Sequence, residues 1–195
     1  MEIIVHRINK IDELLTIAPN FGVEIDIRTN GSELILNHEP FGSGDRFIDY
    51  LNEYKHGTLI LNIKESGIEK TVLELIKNYS SVKNYFLLDI EFPFLQYASM
   101  NKIKNIAIRY SEYESIKTVE KFRGLIDWVW IDTFNKFPLD QESIRVLKDF
   151  NTCLVCPDRW QRAQDIPSYR KNLKKLNFTL NAVMTSKNTI SEWLW

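Results

Sequence analysis

The sequence predicts an α/β fold, a compact (β/α)8 barrel (TIM barrel), as a single domain over residues 1–195. The main observation is that short β-rich runs alternate with amphipathic helical stretches along the whole chain, which is the pattern of repeated βα units. A second observation is that several of these runs are apolar on both faces, as buried parallel strands are. Eight such units complete a barrel, and this one must be compact because such barrels typically need ~250 residues.

Eight β-rich runs are the predicted strands. They cover residues 3–7, 23–28, 58–64, 85–90, 106–110, 128–132, 152–156 and 179–184, with a small β arm over 34–37. The predicted helices cover residues 10–18, 46–54, 68–79, 94–100, 112–122, 140–150, 165–176 and 190–194.

Apolar spacing and end residues support individual helices. Val72, Leu75, Ile76 and Tyr79 recur at helical spacing, which places them on one face that should pack on the strands. Asp140 precedes an acidic first turn, which suits the positive end of a helix. A doubly wound open sheet is the alternative fold. The sequence shows no glycine-rich phosphate loop, which weakens the nucleotide-binding version of that alternative.

Composition excludes several classes of partner. The chain has 25 Lys and Arg against 26 Asp and Glu, a net charge of -1, so no basic excess indicates nucleic acid or an anionic membrane. The longest apolar stretches fall far short of the roughly 20 residues that a membrane span needs. The first residues also lack the pattern of a signal peptide. We therefore expect a cytoplasmic protein with no integral membrane segment.

Cysteines and terminal tryptophans predict packing. Cys153 and Cys156 are three residues apart on a predicted strand, so their side chains point to opposite faces. Buried free thiols are a better interpretation than a redox or metal-binding pair. Trp193 and Trp195 suit either a cap on the barrel or a homodimer contact.

Polar residues collect at the predicted carboxyl ends of the strands, where parallel barrels carry their chemistry. Glu24 and Asp26 share one face of their strand because alternate residues point the same way. Two carboxylates this close favour either a hard divalent cation between them or a Lys or Arg that neutralises them. The spacing leaves both alternatives open.

Two of the three histidines also fall at strand or arm ends. His6 and His38 suit an acid–base pair beside a metal-bound phosphate, because imidazole gains and loses a proton near neutral pH. The alternative is that they are structural histidines held by hydrogen bonds, which is the interpretation we give to His56. Lys64 and Arg109 suit either contact with a phosphate or a buried ion pair.

Four short motifs at these strand ends carry a family resemblance. They are His6-Arg7, Glu24-x-Asp26, His38-Glu39 and Asn62-Ile63-Lys64. In this order the sequence resembles the glycerophosphodiester phosphodiesterase family and its wider phosphatidylinositol-phosphodiesterase-like barrel superfamily. The resemblance is concentrated in roughly the first third of the chain, and the remainder agrees only in its βα rhythm.

The resemblance implies a function and a role for each matching residue. Family members cleave a phosphodiester, typically releasing an alcohol and a phosphomonoester. The implied acid–base pair is His6 and His38, and the implied cofactor is a divalent metal, Mg²⁺ or Ca²⁺. The implied metal ligands are Glu24 and Asp26, and the implied phosphate contacts are Arg7 and Lys64. The third metal ligand would be the amide oxygen of Asn62 or the carboxylate of Asp89 from the next strand. Arg109 lies outside the matching motifs and is a candidate phosphate contact by its own chemistry.

This sequence departs from the family pattern at three points. Asn62 stands where the family usually has a third carboxylate, so the metal loses one charged ligand. Ile8 replaces the glycine that normally follows His-Arg, and the usual Glu-Asn-Thr segment is missing. The chain is also too short for the insertion that many relatives use to recognise glycerol.

Three functions follow from these residues. The first is a metal-dependent phosphoric diester hydrolase acting on a small or polymer-derived phosphodiester. The second is a barrel that binds a phosphodiester without cleaving it, as a regulatory or binding protein, and Asn62 is its main support. The third is a Schiff-base lyase that uses Lys64, since a lysine inside a barrel can be activated by burial.

Overall fold

The structure, a computed structural model, describes residues 1–194. These residues form two compact units. One unit is Ile4–Phe94, which we call the N-terminal unit, and the other joins Met1–Ile3 to the chain from Leu95 onward, which we call the C-terminal unit. The single domain predicted for the whole chain stays a prediction.

The N-terminal unit contains parallel strands in the order β5-β4-β2-β1, and β3 pairs antiparallel with β2. Register is fixed along this sheet: Asp26 on β2 lies opposite Asn62 on β4. The elements are β1 (Glu2–Val5), whose first two residues belong to the C-terminal unit, α1 (Ile11–Leu14), β2 (Gly22–Asn30), β3 (Glu33–Leu36), α2 (Phe47–Glu53), β4 (Leu59–Ile63), α3 (Glu69–Ile76) and β5 (Tyr85–Leu88).

The C-terminal unit contains four parallel strands in the order β9-β8-β7-β6. Short 3-10 helices at Pro157–Trp160, Ala163–Asp165 and Lys187–Trp193 complete it. The elements are α4 (Phe92–Met100), which begins at the end of the N-terminal unit, β6 (Ala107–Tyr110), α5 (Ile116–Glu120), β7 (Trp128–Ile131), α6 (Gln141–Leu147), β8 (Asn151–Val155), α7 (Ile166–Lys175) and β9 (Ala182–Thr185).

Eight parallel strands that alternate with helices confirm the predicted α/β class and the (β/α)8 barrel fold. Every predicted strand is present, and the β arm is present as β3. The largest difference is at the end of the chain, where the expected α-helix is a 3-10 helix. Trp195, which we assigned to a cap or a homodimer contact, lies outside the described residues.

Burial explains why the strands read as continuous apolar runs. Both faces of β2 and β4 are covered, since every residue from Val23 to Ile27 and from Leu59 to Ile63 is buried. Helix α3 buries Val72, Leu73 and Ile76. The prediction placed Leu75 on the buried face of this helix, whereas the structure buries Leu73. The buried face is therefore rotated slightly around the helix axis from the predicted one.

Predictions for single residues in the C-terminal unit are also confirmed. Asp140 caps α6: its carboxylate accepts a hydrogen bond from the Ser143 N–H at 2.8 Å, and the Ser143 hydroxyl accepts one from the Asp140 N–H at 2.9 Å. Cys153 and Cys156 are buried free thiols.

Within residues 1–194 the structure has no helix with the length and apolar character needed to cross a membrane.

We expect Leu61→Ala to lower the free energy of unfolding by about 2–5 kcal/mol, because Leu61 is fully buried on β4 and its truncation leaves a cavity. The matched control is Leu15→Ala, since Leu15 is 63% exposed, and its effect should stay within about 0.5 kcal/mol. Urea unfolding of both variants measures this. Equal losses in the two variants would contradict the packing described for β4.

Candidate functional site

The carboxyl ends of β1, β2, β4 and β5 bring most of the predicted site residues together in the N-terminal unit. Each strand contributes through its last residues or the segment directly after it, as expected for a parallel sheet. The residues linked here by hydrogen bonds or ion pairs are His6, Arg7, Glu24, Asp26, Asn62, Lys64 and Asp89.

Glu24 is a buried carboxylate, 1% exposed, with both oxygens engaged. Its Oε1 atom accepts a hydrogen bond from Asn62 Nδ2 at 2.8 Å, and its Oε2 atom accepts one from the Arg7 backbone N–H at 3.0 Å. His6 Nε2 lies 3.8 Å from Oε2. Burial, with the charge of Asp26 beside it, raises the pKa of Glu24 to about 7 despite these donors.

Asp26 is the second buried carboxylate and is surrounded by donors and cations. Its Oδ2 atom accepts a hydrogen bond from Asn9 Nδ2 at 2.8 Å and lies 3.5 Å from Arg7 Nε. Its Oδ1 atom lies 3.3 Å from Lys64 Nζ but has no hydrogen-bond partner. Lys64 also lies 3.6 Å from Asp89 Oδ2, so its ammonium bridges two carboxylates.

Two of the residues at these strand ends have left-handed backbones. Arg7 has φ of 58° and Asp89 has φ of 57°, a conformation that non-glycine residues adopt infrequently. The left-handed turn at Arg7 directs its N–H to the Glu24 side chain. Such strain is found where a structure holds functional groups in place.

His38 lies on the loop that follows β3. Its Nδ1 atom is 2.6 Å from Glu39 Oε1, and its carbonyl accepts a hydrogen bond from Arg28 Nε at 3.0 Å. The hydrogen bond from His38 lowers the pKa of Glu39. The histidine ring is about one-third exposed, so a ligand can reach it.

Tight packing fixes the course of this loop. A Cβ atom on Gly44 would lie 2.1 Å from the Leu36 carbonyl oxygen, so only glycine fits at that position. A Cβ atom on Gly42 would lie 2.1 Å from the end of the Asn37 side chain, which would have to move. Asn37 also donates to the Ser43 carbonyl at 2.9 Å. The backbone of the loop that carries His38 therefore has a defined conformation.

The donor set suits a hard divalent cation. Asp26 Oδ1 and Asn62 Oδ1 are buried oxygen atoms without a hydrogen-bond partner, and oxygen ligands are those that Mg²⁺ and Ca²⁺ prefer. A cation here would also favour the ionised form of Glu24. Among residues 1–194, however, no three His, Cys, Asp or Glu side chains come together as metal ligands.

Arg109 belongs to the C-terminal unit, where it forms the ion pair that was the alternative to phosphate binding. Its guanidinium hydrogen-bonds to Asp132 and lies 3.9 Å from Glu114. Burial raises the pKa of Asp132 even though Arg109 opposes the shift. The ring of Trp160 also donates to Asp132 at 3.0 Å, so this carboxylate is well satisfied.

Sequence reasoning missed Asn9, which contacts Asp26. A single amide in a segment between a strand and a helix gives no periodic or motif signal. His56, which we assigned to a structural role, lies with Nε2 3.0 Å from the Ile17 carbonyl oxygen, as that assignment requires.

We expect the stability advantage of a Glu24→Gln variant over wild type to grow as pH rises from about pH 5 to about pH 8. The raised pKa means that folded Glu24 holds its proton where the unfolded chain has lost it. Wild-type stability therefore falls through the interval between the ordinary pKa of 4.5 and about 7, whereas glutamine does not titrate. Urea unfolding across this range, without divalent ions, measures the difference, and a constant difference would contradict the burial of this carboxylate.

Comparison with known proteins shows which solved structures share this fold. Neither family models nor curated protein sequences give a match. A glycerophosphodiester phosphodiesterase from Agrobacterium tumefaciens superimposes with a TM-score of 0.61 at 10% identity, over 94% of this chain and 96% of the other. A second Agrobacterium tumefaciens protein, described as a glycerophosphoryl diester phosphodiesterase, gives 0.68 at 10% identity over 98% and 95% of the chains.

A third structure is a phosphodiesterase from Oleispira antarctica in complex with its product sn-glycerol-3-phosphate. It gives a TM-score of 0.64 at 16% identity over 94% of this chain and 92% of that chain. These identities are low, so the likeness concerns the fold. The predicted resemblance is confirmed at that level: the chain has the barrel fold of the glycerophosphodiester phosphodiesterases.

Proposed function

We propose that the protein is a phosphoric diester hydrolase of the glycerophosphodiester phosphodiesterase type, acting on a small or polymer-derived phosphodiester. The observation that carries the proposal is the convergence of a histidine, two buried carboxylates and two cations at the carboxyl ends of adjacent strands, in the fold of known phosphodiesterases. Those residues are His6, Glu24, Asp26, Arg7 and Lys64.

The two histidines would transfer protons. Cleavage forms a bond from the oxygen of water, or of a hydroxyl in the substrate, to phosphorus and breaks the bond from phosphorus to the leaving oxygen. One imidazole accepts the proton of the attacking hydroxyl, and the other, as imidazolium, gives a proton to the leaving oxygen. Each imidazole has a carboxyl group beside it, Glu24 at 3.8 Å from His6 and Glu39 at 2.6 Å from His38, which can orient the ring for this transfer.

The cations would hold the phosphoryl group. Arg7 lies beside one oxygen of the Asp26 carboxylate and Lys64 lies beside the other. This shared carboxylate keeps the two positive groups close together. Their remaining N–H donors suit phosphoryl oxygens, whose negative charge they would stabilise during the reaction. A cavity of about 190 Å³ borders Lys64, and its walls also carry the carboxyl groups of Glu65, Glu69, Asp89 and Glu91. It therefore suits an uncharged polar part of a substrate and not the phosphoryl group.

A divalent cation completes the proposal. Glu24, Asp26 and Asn62 would hold it, with Asp89 near Lys64, and Mg²⁺ or Ca²⁺ suits these oxygen donors. When bound, such an ion would add positive charge for the phosphoryl oxygens.

A second candidate function is binding of a phosphodiester without cleavage. The observation that favours it is the 2.8 Å hydrogen bond from Asn62 to Glu24. An amide that donates to this carboxylate stabilises the site without an ion, whereas a carboxylate at position 62 would repel Glu24 until a cation was bound. Such a site could hold a phosphodiester through its cations alone.

We expect His6→Ala and His38→Ala each to lower turnover of phosphodiesters by roughly 100- to 10,000-fold, the range usual for loss of a general acid or base. The matched control is His56→Ala, because His56 contacts the Ile17 carbonyl away from the site, and its turnover should stay near wild type. The assay uses glycerophosphodiesters and a chromogenic diester, with Mg²⁺, Ca²⁺ or EDTA.

The outcomes separate the two candidate functions. Loss of turnover in the two site variants alone supports the hydrolase. Absence of turnover in folded wild type, together with calorimetric binding of a phosphodiester, would support the binding protein instead.

We expect Asn62→Asp to bind Ca²⁺ roughly tenfold more tightly than wild type, because charged ligands raise calcium affinity. The control is Asn20→Asp, which adds the same charge at an exposed position of the N-terminal unit. Isothermal titration calorimetry measures both. If the two variants gained affinity equally, position 62 would not be a ligand position.

A further inference from the structure

Asn9 makes two hydrogen bonds to one residue of the candidate site. Its Oδ1 atom accepts from the Asp26 backbone N–H at 2.8 Å, and its Nδ2 atom donates to Asp26 Oδ2 at 2.8 Å. Asn9 is half-buried and lies in the segment between β1 and α1. One amide therefore holds both the backbone and the carboxylate of Asp26.

The first hydrogen bond, from the Asp26 N–H to Asn9 Oδ1, replaces a backbone hydrogen bond between β1 and β2 that is missing from the sheet. The pairing of β1 with β2 becomes irregular where Arg7 adopts its left-handed conformation. After this turn the Ile8 N–H donates to the Glu24 carbonyl at 2.9 Å, so in a parallel ladder the Ile8 carbonyl would next accept from the Asp26 N–H. That carbonyl accepts instead from the Tyr50 hydroxyl at 2.9 Å. Asn9 Oδ1 supplies the acceptor that this N–H would otherwise lack inside the protein.

The second hydrogen bond, from Asn9 Nδ2 to Asp26 Oδ2, determines the orientation of the Asp26 carboxylate. Because Asn9 holds Oδ2, the other oxygen faces Lys64 Nζ at 3.3 Å and stays free of hydrogen bonds. Without the amide the carboxylate could rotate about its terminal torsion, which has a broad energy minimum, and turn its second oxygen as well toward the Arg7 guanidinium, which Oδ2 already approaches. Lys64 would then lose one of the two carboxylates that hold it.

We propose that Asn9 is a positioning residue of this site, an inference that rests on the proposed function. Asn9 acts through Asp26: by fixing one carboxylate oxygen it leaves the other to hold the Lys64 ammonium where the phosphoryl group binds. If Asn9 had only a structural role, it would act through its hydrogen bond to the Asp26 backbone. Substitution of Asn9 would then lower stability without affecting Lys64.

The test measures the chemical accessibility of Lys64 directly. An amine-reactive succinimidyl ester modifies the folded protein, and peptide mass spectrometry gives the rate at Lys64. We expect Asn9→Ala to raise that rate roughly tenfold, the size of effect that loss of a hydrogen bond to a charged group produces. The matched control is Tyr50→Phe, which also removes one hydrogen bond to this segment but touches neither Asp26 nor Lys64, and its rate should equal that of wild type.

A double-mutant cycle shows whether Asn9 acts through Asp26. Asp26→Ala alone should raise the Lys64 rate, and adding Asn9→Ala should raise it no further, because the residue that transmits the effect is already gone. If Asn9→Ala does not fold, Asn9→Ser takes its place in the same cycle.

Equal Lys64 rates in Asn9→Ala and Tyr50→Phe would overturn the proposal, and so would additive effects in the cycle. Turnover of the chromogenic diester, measured on the same proteins, should fall roughly tenfold in Asn9→Ala and remain near wild type in Tyr50→Phe. If wild type cleaves no diester, the proposed function fails, whereas the Lys64 rates still decide whether Asn9 positions the carboxylate.

Discussion

Two buried carboxylates, two residues apart on one strand, are the constraint on which the N-terminal unit depends. Glu24 and Asp26 are each 1% exposed, and removing two like charges from water costs several kcal/mol unless donors and cations compensate. The surrounding side chains supply that compensation. Asn62 and the Arg7 N–H satisfy Glu24, while Asn9 and Lys64 contact Asp26. Even so, the pKa of Glu24 rises to about 7, so the compensation is incomplete and the site favours additional positive charge.

The same constraint explains the irregular backbone at the strand ends. Glu24 needs a donor at its Oε2 atom, and the left-handed turn at Arg7 provides one from the main chain. That turn interrupts the pairing of β1 with β2, and the Asn9 side chain restores the lost acceptor. Local strain, an amide in place of a backbone carbonyl and the position of Lys64 are therefore consequences of one buried charge pair.

The C-terminal unit shows a different solution for a buried carboxylate at a strand end. Asp132 follows β7 and accepts hydrogen bonds from its cation Arg109, from two indole N–H groups and from the backbone of Thr133. These donors engage both oxygens, whereas Asp26 keeps one oxygen without a hydrogen bond, in ion-pair contact with Lys64. This contrast makes the strand ends of the N-terminal unit the better candidate for a site that binds a ligand.

The sequence by itself determined the fold class and most members of the site. Alternation of β and helical patterns predicted the eight parallel strands, because buried strands and amphipathic helices each impose a period on the chain. Motifs at the strand ends predicted His6, Glu24, Asp26 and Lys64, because parallel strands end at one edge of a sheet. These signals are local, so they can be detected without knowing which segments meet.

Tertiary structure alone decided the contacts within that set. Sequence spacing left open whether Lys64 would bind phosphate or pair with carboxylates, and the register of β2, β4 and β5 brings it within ion-pair distance of Asp26 and Asp89. Similarly, Asn62 was assigned as a metal ligand, yet its Nδ2 donates to Glu24 and leaves only Oδ1 for an ion. The role of Asn9 depends on the left-handed turn at Arg7 and on the contact of Asn9 with Asp26, 17 residues further along the chain. Such contacts join residues that are distant in sequence, and the orientation of a carboxylate or an amide is set by the neighbours that folding brings to it.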